Sequence, residues 1–458
     1  MSIASINPAS GRTLQTFEPM SDPDVDHRLE VASSAFATFR TTPIRYRAHL
    51  LSSVADLFEA EVDSIAAVAT TEMGKTLESA RAEVRKAASG CRYYAEHGTH
   101  LLADDHFHAH RVGAARAYGR YEPLGPVLAV MPWNFPVWQV VRVAAPVLIA
   151  GNVFLLKHAP NVPQTALLLE ECFERAGCPP GTFQTLLLES SGVERVLRDR
   201  RVRAATLTGS ERAGSAIAAV AGSEIKPTVL ELGGSDPFIV MPSADIEIAA
   251  AKAVTARCQN NGQSCIAGKR FLIHRDVADE FERRFVAQMA TLRVGDPMDP
   301  TTDVGPLATE QGRQTIAAQV DDAVEHGAEV RCGGAPLDGE GWFYPPTVVT
   351  GITAGMRMSV EEVFGPVAQI ERFDDLATAI TLANSTRFGL GASVWTREAR
   401  EQEDLIRGLE SGAVFVNGIT ASYPELPFGG TKASGIGREL GAHGIRSFCN
   451  LKTVWVAP

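Results

Sequence analysis

From Gly125 onwards, short apolar runs alternate with stretches of helical periodicity, and this alternation constrains the fold more than any other feature of the 458 residues. Predicted strands at 127–131, 153–157, 183–188 and 204–208 are separated by predicted helices at 138–150, 163–176 and 193–198. Strands joined through helices form mostly parallel sheets with helices on both faces. We therefore predict an α/β fold for this part of the chain.

A second alternating series begins at Gly233, and helices precede the first series. The later segments are predicted strands at 237–241, 270–274, 328–332, 367–373 and 391–395 and predicted helices at 246–257, 277–292 and 310–326. Helical periodicity also marks 31–39, 47–70 and 75–98 near the N-terminus. Residues 106–121 are short, polar and alternating, which is typical of an extended arm or an edge hairpin.

Charge and cysteine content exclude several classes of protein. The formal net charge is -11, so nucleic acid and anionic membrane are not expected partners. Seven cysteines, with no CxxC pair, indicate reduced thiols in a cytoplasmic protein without a metal site. The most apolar stretch, 127–156, is interrupted by prolines and by Arg142 and is not a membrane span, while 1–11 lacks the pattern of a signal peptide.

The polar run from Asn260 to Cys265 places a cysteine in a loop between a predicted helix and a predicted strand. The thiolate is the nucleophilic form of cysteine, and loop amides can lower the thiol pKa from about 8.5 and leave the sulfur accessible. The alternative is a cysteine buried as a small hydrophobic residue, which is our interpretation of Cys91, Cys172, Cys178, Cys332 and Cys449.

Two further polar residues stand in apolar or rigid surroundings. Glu231 lies between two leucines, where burial of a carboxylate is costly unless it is paired or has a functional role. Burial would also raise its pKa, which would suit a general base. A structural ion pair is the alternative. Asn134 lies between Pro132 and Pro136, where an immobile side-chain amide can donate a hydrogen bond to an oxyanion. A loop asparagine bonded to its own backbone is the alternative.

The segment 207–214 reads as a strand that ends at Thr208 and a helix capped by Ser210. Backbone N–H groups at such a junction attract phosphate. The glycines, Gly209 and Gly214, have the spacing G-x-x-x-x-G and not that of the common dinucleotide fingerprint. An ordinary tight turn is the alternative.

Taken together, these segments resemble the aldehyde dehydrogenase superfamily. The motifs, in the order of that family, are PWNFP at 132–136, LTGSERAG at 207–214, LELGG at 230–234, GQSC at 262–265, EEVFGP at 361–366 and PFGGTKASGIGRE at 427–439. The opening segment, 6–11, is also similar to the start of that family. The resemblance thus covers essentially the whole chain.

The resemblance implies an aldehyde dehydrogenase-like fold in three parts. These are a Rossmann-like cofactor domain (1–104 and 124–232), an α/β catalytic domain (233–432) and a small β oligomerisation arm with a tail (105–123 and 433–458). Because exposed edge strands are safest when paired with another subunit, a homodimer or homotetramer is expected.

The resemblance also implies a covalent mechanism with a nicotinamide cofactor. Cys265 would attack the aldehyde, and Asn134 with the Cys265 backbone N–H would hold the oxyanion. Hydride transfer to the nicotinamide would leave a thioester, which water activated by Glu231 would hydrolyse. The residues implied at the cofactor are Trp133, Lys157, Pro160, Gly209, Ser210, Gly214, Leu232, Glu362 and Phe364.

One departure from the family concerns the choice of cofactor. Members that prefer NAD usually carry a glutamate three residues after the lysine that matches Lys157, and here that position is Pro160. The missing carboxylate would otherwise repel a 2′-phosphate. We therefore expect NADP to be used at least as well as NAD.

Within the superfamily, the chain is most similar to the succinate-semialdehyde dehydrogenases. Arg142 and Ser422 match residues that bind the distal carboxylate there, whereas a second arginine of that subgroup is replaced by Gln259. Trp138 and Phe428 complete the expected substrate site. The alternatives are an Arg142 paired with a carboxylate of the fold, and a broad-range or other semialdehyde dehydrogenase. Rivals of another class are a cofactor-free cysteine acyl-hydrolase and a non-catalytic homologue.

Overall fold

The structure is a computed structural model that describes residues 3–458. In chain order, its strands are β1 (Ile3–Asn7), β2 (Arg12–Phe17), β3 (Asp105–His106), β4 (Arg116–Pro123), β5 (Pro126–Met131), β6 (Val153–His158), β7 (Phe183–Thr185), β8 (Ala204–Thr208), β9 (Thr228–Glu231), β10 (Asp236–Val240), β11 (Gly268–His274), β12 (Glu329–Cys332), β13 (Thr347–Thr350), β14 (Val367–Phe373), β15 (Gly391–Trp395), β16 (Ala413–Val416), β17 (Gly435–Ile436) and β18 (Cys449–Val456).

The α-helices connect and cover these strands. They are α1 (Asp22–Phe39), α2 (Ile44–Ala60), α3 (Val62–Met73), α4 (Leu77–Leu101), α5 (Trp138–Ala150), α6 (Pro163–Arg175), α7 (Val193–Arg198), α8 (Glu211–Ser223), α9 (Ile246–Cys258), α10 (Arg275–Thr291), α11 (Glu310–Glu325), α12 (Arg357–Val360), α13 (Leu376–Asn384), α14 (Ala399–Gly408) and α15 (Gly441–Arg446). No helix among residues 3–458 is both long enough and apolar enough to cross a bilayer.

A six-stranded sheet has the order β17-β9-β8-β5-β6-β7, parallel except for β17. From β5 the chain builds outward through β6 to β7, and then returns to the other side of β5 with β8 and β9. Loops on either side of such a reversal separate beyond the carboxyl ends of the strands and leave a crevice for a ligand. The loops after β5 and β8 carry Asn134 and Ser210 to this crevice.

A seven-stranded sheet has the order β12-β13-β14-β11-β10-β15-β16, parallel except for β12. The glycines Gly233 and Gly234 lead from β9 of the first sheet to β10 of the second. Cys265 precedes the central strand β11. Cys265, the expected nucleophile, therefore lies where the two sheets adjoin.

Helix α5 is buried along its whole length between the six-stranded sheet and α4. Its residues are apolar on nearly every side, because a helix covered all round needs no polar face. The exceptions, Gln139 and Arg142, lie on the first turns, beside Trp138. The Glu83 carboxylate caps the start of the helix by accepting hydrogen bonds from the backbone N–H groups of Val137 (2.7 Å) and Trp138 (2.8 Å).

The predicted arm is a three-stranded antiparallel sheet of order β18-β4-β3. Strand β18 pairs with β4 along its whole length, from Cys449 opposite Pro123 to Val456 opposite Arg116. A 3-10 turn at Ala109–Val112 interrupts the extended segment between β3 and β4. Before reaching the arm, the chain adds β17 to the edge of the six-stranded sheet.

Most predicted elements are present, but several boundaries were wrong, among them the start of α1, which lies at Asp22 and not near Val31. The single helix predicted at 47–70 is two helices, α2 and α3, that break at Glu61. Glu61 has φ −112° and ψ 23°, and neither glycine nor proline marks this break. The strand predicted at 183–188 ends at Thr185.

Candidate active site

Two cavities meet at Cys265, and Gln139 also lines both of them. We name them the α5 cavity, of about 240 Å³, and the β8 groove, of about 260 Å³. The α5 cavity is lined by Ser79, Ala82, Glu83, Lys86, Phe135, Trp138, Gln139, Arg142, Gln259, Asn260, Ser264, Cys265, Ile266, Ile419, Thr420, Ala421, Ser422 and Phe428. The β8 groove is lined by Pro132, Trp133, Asn134, Gln139, Thr208, Gly209, Ser210, Leu232, Gly233, Cys265, Glu362 and Phe364.

The loop that carries Cys265 has an unusual backbone. Asn260 and Asn261 adopt left-handed conformations, with φ of 55° and 56°, and asparagine is among the few residues that tolerate this region. Gly262 follows with φ of 72°, and a Cβ there would lie 2.4 Å from the carbonyl carbon of Gly365. Lys269 holds the end of the loop, because its ammonium group donates to the Cys265 carbonyl oxygen at 2.7 Å.

Asn134 is fixed to this loop by its side chain and its backbone. Its Nδ2 donates to the carbonyl oxygen of Gln263 (3.1 Å), and its Oδ1 accepts from Nε2 of Gln139 (2.9 Å). Its carbonyl oxygen accepts from Nδ2 of Asn260 (2.8 Å). The partners lie on other segments, so a bond to its own local backbone is not what the structure shows. One N–H of the amide remains, and the backbone N–H of Cys265 donates to no residue in 3–458.

The Cys265 thiol is half-buried, and its surroundings favour the neutral form. Burial raises the pKa of Cys265 to about 12, and the nearby charges of Arg142 and Lys269 oppose this only in part. The expected lowering of this pKa by the loop was therefore wrong. Because the thiolate is the nucleophile, a proton must leave the sulfur before or during attack.

Glu231 ends β9 with its carboxyl group buried, and neither oxygen has a hydrogen-bond partner among residues 3–458. The group packs against Gly429, where a Cβ would lie 2.6 Å from Oε1. Burial, with the neighbouring charge of Glu439, raises the pKa of Glu231 well above its usual value. Glu231 lines neither cavity, and it does not form the hydrogen-bonded ion pair considered as its alternative.

Six of the residues expected at the cofactor line the β8 groove: Trp133, Gly209, Ser210, Leu232, Glu362 and Phe364. The Trp133 and Phe364 rings meet edge to face with centroids 5.7 Å apart. Ser210 caps α8 by accepting from the Ala213 N–H (3.3 Å). Glu362 accepts a hydrogen bond from the Gly234 N–H (3.1 Å) and lies 3.2 Å from the Lys269 ammonium.

The other three expected cofactor residues lie outside the groove lining. Gly214 faces Leu232, and a Cβ there would lie 2.5 Å from a Leu232 methyl carbon, so this glycine allows α8 to pack closely. Its expected place along the pyrophosphate stays a prediction. Lys157, near the end of β6, is buried, forms no ion pair among residues 3–458, and has its pKa lowered by burial. Pro160 lies in the turn after that strand.

These features fit a nicotinamide dinucleotide. The groove offers aromatic and aliphatic walls, a capped helix N-terminus and a carboxylate. Helix N-termini favour phosphate, and a buried lysine without a carboxylate partner favours an anionic ligand.

All five expected substrate residues line the α5 cavity: Arg142, Gln259, Ser422, Trp138 and Phe428. The Arg142 guanidinium nevertheless already contacts three other residues of the chain. Its Nε lies 2.5 Å from Oε2 of Glu439, its Nη2 donates to the Thr208 hydroxyl (3.3 Å), and its guanidinium lies 4.9 Å from the centre of the Phe428 ring. The alternative of an Arg142 paired with a carboxylate of the fold is thus what the structure shows.

Sequence reasoning missed Gln139, Glu83 and Lys86. Gln139 orients the Asn134 amide and lines both cavities, whereas Glu83 caps α5. Lys86 donates to the Ser422 hydroxyl oxygen at 3.0 Å inside the α5 cavity. Three of the four residues from Glu83 to Lys86 are charged, which is typical of a solvated helix face, so the sequence gave no signal of this role.

The chain belongs to the aldehyde dehydrogenase family, whose profile matches residues 1–454. The α/β fold expected from the motifs is confirmed. A relative named succinate-semialdehyde dehydrogenase [NADP(+)], from Mycobacterium avium (strain 104), is 63% identical over 100% of this chain and 97% of its own. A relative named succinate-semialdehyde dehydrogenase [NADP(+)] 1, from Mycobacterium tuberculosis (strain H37Rv), is 61% identical over 100% of both. The crystal structure of succinic semialdehyde dehydrogenase from Streptococcus pyogenes in complex with NADP+ superposes with a TM-score of 0.97, at 35% identity and full coverage of both chains.

Proposed function

We propose that this enzyme oxidises succinate semialdehyde to succinate with NADP+ as hydride acceptor, and that NAD+ serves no better. The relatives with this activity in their names support the substrate and the cofactor. The observation that carries the proposal is the α5 cavity, which joins the Cys265 thiol to a polar end that holds Lys86 and the Arg142 guanidinium paired with Glu439. At about 240 Å³ the cavity is smaller than the ~300–1,000 Å³ usual for larger ligands, and it suits a small acid.

In the first half of the reaction, Cys265 forms a bond to the aldehyde carbon, and the carbonyl electron pair moves to oxygen. The sulfur proton passes to water as the carbon–sulfur bond forms. The free N–H of the Asn134 amide and the backbone N–H of Cys265 are the two donors available to the oxyanion. A nicotinamide held by the residues of the β8 groove would supply the hydride acceptor that formation of a thioester on Cys265 requires.

In the second half, Glu231 removes a proton from the water that attacks the thioester, and the carbon–sulfur bond breaks to release the acid. The raised pKa of Glu231 suits a base that must accept a proton near neutral pH. Because neither carboxyl oxygen is hydrogen-bonded, the side chain can turn toward Cys265 without losing a partner. No histidine lines either cavity to support the rival acyl-hydrolase chemistry.

Initial rates with a series of aldehydes test the substrate. With NADP+, we expect kcat/KM for succinate semialdehyde to exceed that for butanal by at least about tenfold, because one charge-assisted hydrogen bond contributes roughly 1.5–3 kcal/mol. Glutarate semialdehyde should fall between them, since its carboxylate lies one carbon further out. Equal kcat/KM values for the three aldehydes would contradict succinate semialdehyde as the preferred substrate, without contradicting the aldehyde dehydrogenase chemistry.

The Pro160→Glu variant tests the cofactor preference. A carboxylate at this position places a negative charge near the 2′-phosphate, and two such charges about 4 Å apart repel by roughly 1–4 kcal/mol. We expect kcat/KM with NADP+ to fall at least about tenfold, and the ratio of NAD+ to NADP+ use to rise. The Pro160→Gln variant is the control, since it removes the proline without adding charge. An equal loss in both variants would assign the effect to the turn and not to repulsion.

We also propose that the chain acts as a homodimer or homotetramer in the cytoplasm. The three-stranded arm exposes large apolar side chains, among them Phe107, Val112, Leu451 and Trp455, which a second subunit could cover. All seven cysteines are free thiols, and a cysteine nucleophile is best kept reduced in a reducing compartment.

A further inference from the structure

We propose that Lys86, together with the hydroxyl group of Ser422, binds the distal carboxylate of the substrate, and that Arg142 is not the principal cation of this subsite. The inference rests on the proposed function and names the residues that give it specificity. It follows from which polar groups around the α5 cavity already have partners and which do not.

Lys86 extends from α4 into the α5 cavity. Its ammonium group donates to Oγ of Ser422 at 3.0 Å and lies 4.7 Å from the centre of the Trp138 ring. Both contacts hold the charge at the end of the cavity formed by Trp138 and Ser422. The cation is therefore positioned before any ligand arrives.

No carboxylate among residues 3–458 neutralises Lys86. The nearby Glu83 is occupied, since one oxygen is paired with the buried Lys75 ammonium and the other accepts the two N–H groups at the start of α5. The other buried carboxylate near the cavity, Glu439, is paired with Arg142. A partly buried ammonium group without a counter-ion is costly, and an anionic ligand would lower that cost.

Ser422 supplies the second donor. Its Oγ accepts one hydrogen bond from Lys86 and a second from the Trp138 indole N–H (3.0 Å), so both lone pairs are in use. No residue in 3–458 accepts the hydroxyl proton of Ser422. A carboxylate could accept from this hydroxyl and from Lys86 together, and charge-assisted pairs of this kind are among the stronger hydrogen bonds in proteins.

Three variants measured on two aldehydes test the inference. Lys86→Met removes the charge and keeps the length of the side chain, Lys86→Arg keeps the charge, and Arg85→Met is the matched control one position away on the exposed face of α4. For Lys86→Met we expect KM for succinate semialdehyde to rise about ten- to hundredfold, and the ratio of its kcat/KM to that for butanal to fall by a similar factor. Lys86→Arg should recover most of the loss, and Arg85→Met should match the wild type.

The outcomes separate this inference from the function on which it rests. If the wild type shows no preference for succinate semialdehyde over butanal, the proposed function is contradicted. A wild-type preference that Lys86→Met retains overturns the role of Lys86 and leaves the function intact. Equal losses on both aldehydes in Lys86→Met, unrecovered in Lys86→Arg, also overturn it, because they indicate a structural role.

A pH series on the wild type gives a result even if the variants fold poorly. Burial and the charge of Arg142 lower the pKa of Lys86 to about 8, opposed only by Glu83. The charged form therefore predominates below pH 8 and is lost above it. Of the charged groups that face Lys86, Arg142 keeps its pair with Glu439, and Glu83 keeps its pair with Lys75. We expect KM for succinate semialdehyde, but not for butanal, to rise between about pH 7.5 and 9.5. A parallel course for both aldehydes would contradict the inference.

Discussion

Replacing Cys265 with alanine is expected to abolish the formation of NADPH from succinate semialdehyde, with a loss in kcat of at least about 10³-fold, because the covalent path loses its nucleophile. The Asn134 amide and the free N–H of residue 265 remain in place to polarise an aldehyde. Without the sulfur, however, they have no adduct to stabilise. NADPH absorbance in the steady state measures the effect.

Cys332→Ser is the matched control for this variant. Cys332 is also partly exposed, but it lies on the edge strand β12, outside both cavities. Its substitution should leave kcat within about twofold of the wild type, as is usual for surface changes away from a site. Substantial NADPH formation by Cys265→Ala would show that another group carries the acyl transfer.

The Glu231→Gln variant is expected to separate the two halves of the reaction. Glutamine has nearly the shape of glutamate but cannot accept the proton of the attacking water, so thioester hydrolysis should slow by about 10²- to 10⁴-fold. In a stopped-flow experiment, up to one equivalent of NADPH per active site should form rapidly, followed by a slow steady state. The exposed Glu310→Gln, in the first turn of α11, serves as the control and should turn over without a burst of this kind.

The same variant should change the pH profile. Because burial and Glu439 raise the pKa of Glu231, the carboxyl group is mostly protonated at low pH and gains its function as a base as pH rises. Thioester hydrolysis by the wild type should therefore increase with pH. In Glu231→Gln this increase should be lost, leaving only the contribution of hydroxide. An identical pH dependence in both proteins would place the base elsewhere.

The predicted fold depended on hydrophobic runs, and it succeeded where those runs were strong. Strands β5, β6 and β8 are buried on both faces, so their apolar sequences are unambiguous. The hairpin β1–β2 was missed because its second strand is largely exposed and carries no apolar run. The break between α2 and α3 was missed because neither a glycine nor a proline marks it.

The site residues that belong to short sequence motifs could be predicted from the sequence. Cys265, Asn134 and the β8–α8 turn are each part of a local sequence pattern, and the fold brings them to two adjoining cavities. Lys86 belongs to no such pattern, and Glu439 ends the motif at 427–439, which does not indicate its partner. Their importance depends on which carboxylate pairs with which cation across α4, α5 and the C-terminal segment, and that pairing exists only in the folded chain.

The most direct test of the mechanism is mass spectrometry of Glu231→Gln after mixing with succinate semialdehyde. With NADP+ present, we predict a mass increase of one succinyl group, located on the peptide that contains Cys265 and removed by hydroxylamine. Without NADP+, the adduct should be absent, because the thioester forms only after hydride has left the aldehyde carbon. An adduct on another cysteine, or the same adduct without NADP+, would contradict the assignment of a cofactor-dependent thioester to Cys265.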